Sequence, residues 1–87
     1  MNDLVKSRKK IDAIDRKLLL LLAQRIEIVK RIGEYKLKNN ITVIDNKREI
    51  EVTEVLKAEA EKLGLKPLHI VKIWREIFKL AYEYEKK

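Results

Sequence analysis

Eighty-seven residues suffice for one domain and not two, and a domain of that size hides only a modest share of its own surface. The formal net charge is +7, from 21 Lys and Arg against 14 Asp and Glu, which suits either a plain solvated surface or an anionic partner: nucleic acid, acidic lipid headgroups or a small acid. With no cysteine there is neither a disulfide framework nor a thiolate metal site, so the cytosol is the expected compartment; no signal peptide or membrane span is read either, the leucine run falling far short of the roughly 20 residues a bilayer needs.

Two glycines and one proline punctuate the chain, and alternating strand-like runs are nearly absent, which predicts a single all-α domain over residues 1–87. The first helix is predicted from about Asp3 to Lys38, where Leu4, Ile11, Ile14, Leu18, Leu21, Leu22, Ile28, Val29 and Ile32 recur at three- and four-residue steps. Its length of roughly 50 Å exceeds the width of a compact chain this size, so its own chain cannot cover it. Within it, Leu18 to Leu22 point all round the circumference. This predicts one face packed on the chain's own helices and the opposite face on a second copy. Gly33 fits either a close approach by another backbone or a ligand, or a tolerated exposed glycine.

"NNITVID", residues 39–45, ends that helix, and "ITVID" reads as an extended connector. Asp45 suits the N-cap of a second helix that carries Ile50, Val52, Val55, Leu56 and Leu63 and stops at Gly64. Pro67 opens a third, to about Lys86, whose apolar face is Ile70, Trp74, Ile77, Phe78 and Ala81.

Arg25 follows Leu18 by seven residues, where an apolar side chain is expected, and Lys36 follows Arg25 by eleven. Eleven steps return to within about 20°, so the two cations share a face about 16 Å apart along the axis and together can hold one small anion. Taken singly, each also fits a cation snorkelling over apolar surface. Arg8 lies about 42 Å of helix from Lys36 and cannot join them within one chain. A second copy, packed antiparallel with the twofold near Leu20, brings Arg8 opposite residue 32, between Arg25 and Lys36.

"DNKRE", residues 45–49, puts Asp45 and Glu49 one turn apart at a helix start with free backbone N–H groups. The same residues read equally as a plain N-cap, a favourable charge at the helix end and Arg48 paired to both. Glu85 prolongs the apolar face of the third helix, or is a solvated tail residue. His69 is the only histidine, Ser7 is the only serine, the carboxylates show no ligand spacing and no glycine-rich loop exists, so neither a metal, a nucleophile nor a cofactor is expected.

"RKKIDAIDRKLLLLLAQR" at 8–25, "IGEYK" at 32–36 and "DNKRE" at 45–49 resemble, in order and spacing, the site-bearing segments of the all-helical chorismate mutases. The resemblance covers nearly the whole chain. It implies three helices per chain in an intertwined antiparallel homodimer, and conversion of chorismate to prephenate toward phenylalanine and tyrosine. It further implies that Arg25, with Arg8 of the other chain, binds the substrate's two carboxylates, while Lys36 donates to the ether oxygen of the breaking bond. Glu49 and the backbone at Asp45 would hold the ring hydroxyl, with Arg48 on the same wall. Two positions depart from the family's best-known pattern: Ala81 stands where a serine often contacts a carboxylate, and Glu85 where a glutamine often donates to the ether oxygen. Glu85 could donate only when protonated, a form favoured by burial beside an anionic substrate.

Two rivals remain at this level. An isochorismate-pyruvate lyase would keep the fold and eliminate pyruvate from a similar dianion. A basic helical dimer binding nucleic acid would cluster its cations on an exposed helix face, whereas Arg25 lies among leucines, which favours the small acid over nucleic acid.

Overall fold

Local signals start and stop each helix. In the computed structural model, which describes residues 2–86, the Asn2 side chain accepts from the backbone N–H of Leu4 at 2.7 Å and of Val5 at 3.4 Å, and the first helix, α1, runs Asp3–Lys38. Residues 1 and 87, the outer limits of the expected domain, lie outside the described residues. The helix closes at Asn40, whose φ of 54° turns the chain so that the Ile41 N–H reaches the Lys36 carbonyl at 2.8 Å. Asp45 caps the second helix, α2 (Asn46–Lys62), by accepting from the Arg48 N–H at 3.0 Å. Gly64, at φ 74°, closes α2 in the same way, with the Leu65 N–H on the Ala60 carbonyl at 2.8 Å. Pro67 then starts α3 (Pro67–Glu85).

The third helix packs against both of the others, while α1 and α2 make no close backbone approach to each other. The buried apolar side chains, Val29, Ala60, Phe78 and Ala81, lie along these two seams. Ile70, Trp74 and Ile77 are half-buried, in line with the apolar face expected of α3. The second helix differs from expectation: Ile50, Val55 and Leu63 are exposed and Ala60 carries the closest packing. The leucine run differs too. Leu19 and Leu20 are 68% and 65% exposed, Leu18 and Leu21 are also exposed and only Leu22 is half-buried. The chain's own helices cover α1 around Val29 and Gly33 and do not extend over the leucines.

The radius of gyration is 16.3 Å, against roughly 12 Å for a compact chain of this length. The accessible surface is 7565 Å², where a compact protein of this mass exposes about 5,400 Å². Much of that excess is apolar, from Leu4, Ile11 and Ile14 through the leucines to Ile28 and Ile32.

Gly33 marks a close approach between α1 and α3. A Cβ there would stand 2.6 Å from the Glu85 carbonyl oxygen and 2.7 Å from Glu85 Cα, so the contact is backbone against backbone. Gly33→Ala should therefore separate α1 from α3. Because neither side can yield by changing rotamer, the cost should lie toward the upper end of the about 1–3 kcal/mol typical of overpacking. It outweighs the roughly 1 kcal/mol gained in helix propensity. Urea unfolding of the variant should show a lower midpoint than wild type.

Candidate active site

A cleft of about 460 Å³ opens where the C-terminal third of α1, the start of α2 and the end of α3 converge. Helix α1 lines it with Arg25, Ile28, Val29, Ile32 and Lys36, which recur at helical spacing on one face. Asp45 comes from the connector and Arg48, Glu49 and Val52 from α2. The last turns of α3 add Phe78, Ala81, Tyr82 and Glu85. The fold thus brings together Arg25, Lys36, Asp45, Arg48, Glu49, Ala81 and Glu85 of the sequence-predicted residues. Arg8 is exposed on the far part of α1 and is not among the lining residues of its own chain.

Lys36 is the most constrained cation. Its Nζ donates to the Val43 carbonyl at 2.7 Å and to Glu85 Oε1 at 2.7 Å, and the two side chains are only 12% and 6% exposed. An ammonium has three protons, so one remains for a ligand. Glu85 differs from the reading as a solvated tail residue: it is buried and accepts from Lys36. The carbonyl of Val43 gives the connector a fixed anchor, a tie that no side-chain pattern announces, since every residue carries a carbonyl.

Arg25 is half-buried and, among the described residues, forms no ion pair. Arg48 differs from the reading that pairs it with Asp45 and Glu49: its backbone N–H binds Asp45, but its guanidinium lies 3.7 Å from Glu51 on the exposed side of α2. The cleft of one chain therefore sets three cations, Arg25, Lys36 and Arg48, against three carboxylates, Asp45, Glu49 and Glu85. Among the described residues no cluster of His, Asp or Glu could hold a metal ion. No helix among them is long and apolar enough to cross a membrane.

Tyr82 escaped the sequence reading. Its hydroxyl donates to Glu49 Oε2 and accepts from the Asp45 N–H at 3.3 Å, joining α3 to the start of α2. The spacing Phe78, Tyr82, Glu85 is helical and would have placed the phenol on the cleft face. Desolvation, reinforced by the hydrogen bond to Glu49, pushes the Tyr82 phenol from 10.0 up to about 12. A raised value in the folded state means that the folded chain keeps its proton where the unfolded chain loses it. The resulting stability is fully present below pH 10 and is lost as pH rises toward 12. Tyr82→Phe should lose stability less steeply than wild type over that range, and should remove from an ultraviolet titration the phenolate that forms near pH 12.

The chain matches the family described as "Chorismate mutase type II" over residues 7–86. It is 39% identical over 90 residues to a bifunctional chorismate mutase/prephenate dehydratase of Aquifex aeolicus, covering 100% of this chain and 25% of that protein. It is 32% identical over 78 residues to a T-protein of Haemophilus influenzae, covering 90% of this chain and 21% of that one. The chain thus spans about a quarter of the length of these curated relatives. Among solved structures, the Form II chorismate mutase from Thermus thermophilus superposes with a TM-score of 0.93 at 30% identity, covering 99% of this chain and 97% of that one. With the fold matched end to end and the family pattern running over residues 7–86, the chain belongs to the chorismate mutase type II family.

Proposed function

We propose that the chain is a chorismate mutase acting in the cytosol as an antiparallel homodimer on the way to phenylalanine and tyrosine. The observation that carries this reading is the pairing of Arg25, which has no carboxylate partner among the described residues, with Lys36, which has a proton to spare, on one wall of one cleft. The reaction suits such a site. It is a unimolecular rearrangement in which the ether C–O bond breaks as a C–C bond forms, and it needs no nucleophile. It needs the enolpyruvyl side chain folded over the ring and charge stabilised at the ether oxygen. The arginines supply the first by fixing the two carboxylates. Lys36 supplies the second, as a preorganised donor whose interaction strengthens in the transition state. Glu49 and the Asp45 N–H hold the ring hydroxyl, and Arg48 borders the same wall.

Charge balance supports a second chain. Three cations against three carboxylates leave no net attraction for a dianion, and Arg8 of a partner copy would add the missing positive charge. The exposed leucine run and the excess surface supply the apolar face for such packing. Incubation with chorismate should yield prephenate; release of pyruvate without prephenate would instead make the chain a lyase, and neither product would overturn the assignment.

Glu85 accepts from Lys36, and as a carboxylate it cannot itself donate to the ether oxygen. Glu85→Gln places a neutral donor at that position and should raise kcat/KM if the transition state needs a second donor there. A fall in kcat/KM would leave Glu85 as the acceptor that orients Lys36.

A further inference from the structure

The Tyr82 hydroxyl completes a donor–acceptor pair, taking a proton from the Asp45 N–H and giving one to the Glu49 carboxylate. Among the side chains of the cleft, a hydroxyl is the group that makes both bonds at once through one atom. The phenol belongs to the cleft lining, so it reaches this pair from within the space that a ligand enters. It is half-buried and rooted on α3, while both of its partners belong to the start of α2. We propose that Tyr82 is a built-in stand-in for a ligand hydroxyl: it ties the start of α2 to α3, and a ligand's hydroxyl displaces it.

The identification of that ligand as a hydroxylated ring dicarboxylate rests on the function proposed above; the exchange itself rests on the geometry. An incoming hydroxyl replaces one pair of hydrogen bonds with a like pair, so affinity is reduced by the loss of the Tyr82 contacts. A ring without the hydroxyl has nothing to offer Asp45 and Glu49 and leaves Tyr82 in place. Tyr82 is thus a positioning residue that competes with the ligand it prepares for.

The test compares two probes by calorimetry, a cyclohexene dicarboxylate bearing a ring hydroxyl and its deoxy counterpart, on wild type and Tyr82→Phe. Removal of the competing hydroxyl should tighten binding of the hydroxylated probe about three- to tenfold. The deoxy probe should not change, and the ligand-free variant should melt lower than wild type. Hydroxylated-probe affinity that falls or stays level in Tyr82→Phe, or equal gains for both probes, would overturn the proposal. Should Tyr82→Phe fail to fold, the wild-type near-ultraviolet tyrosine difference spectrum decides: a change with the hydroxylated probe alone supports the exchange, and the same change with both refutes it. Prephenate formation by wild type is followed alongside; its absence would remove the proposed function while the probe comparison still judges Tyr82.

Discussion

Lys36→Met should lower kcat/KM by about two to three orders of magnitude, the usual consequence of deleting one preorganised donor at a developing negative charge. The fold would suffer as well. Glu85 is 6% exposed on its side chain, and with Lys36 gone its charge would be buried without a partner, a situation that typically costs about 3–5 kcal/mol. The Val43 carbonyl would lose its donor at the same time. A rate loss in the single variant therefore mixes chemistry with stability. The double variant Lys36→Met/Glu85→Gln separates them, because it removes both charges together. Its unfolding midpoint should recover most of the way to wild type while its rate stays low. Recovery of rate together with stability would mean that Lys36 serves the fold alone.

Arg8→Ala should lower kcat/KM by about 10²-fold, as expected when one partner of a desolvated charge pair is truncated. Its effect should also cross between chains. Arg8→Ala and Lys36→Met chains, each nearly inactive alone, should regain about a quarter of wild-type activity when mixed, unfolded and refolded, since half the random dimers hold one intact site. The geometry behind this is simple. Arg8 and Lys36 sit about 42 Å apart on one continuous helix, and Arg8 is absent from its own chain's cleft. Mixing without any gain would remove the partner's contribution and leave Arg8 outside the site.

The helices are legible because their limits are written locally. Asp45, Gly64 and Pro67 each act on backbone groups within a few residues of themselves, so reading neighbours suffices. The shared face of Arg25 and Lys36 follows from helical periodicity alone, with no knowledge of what lies opposite. What lies opposite is harder. Lys36 and Glu85 are separated by 49 positions, and their contact depends on how α3 crosses α1. The same holds for Tyr82 with Glu49, 33 positions apart. The periodicity of the leucines implies cover on one side by their own chain, but the reach of α2 and α3 along α1 is a tertiary property that composition does not encode. At Gly33 the residue type leaves two outcomes open, and the Glu85 backbone decides between them.

That same contact bears on how the cleft responds to heat. Side chains that interlock can exchange rotamers as thermal energy rises, and a distance held by them drifts. The meeting of Gly33 with Glu85 has no rotamer on either side to soften it. It lies one helical turn from Lys36 and on the very residue that Lys36 grips, so the spacing between the two main chains that carry this pair is set by backbone contact. A chain with very little buried core thereby gains a stiff point where its chemistry is proposed to occur.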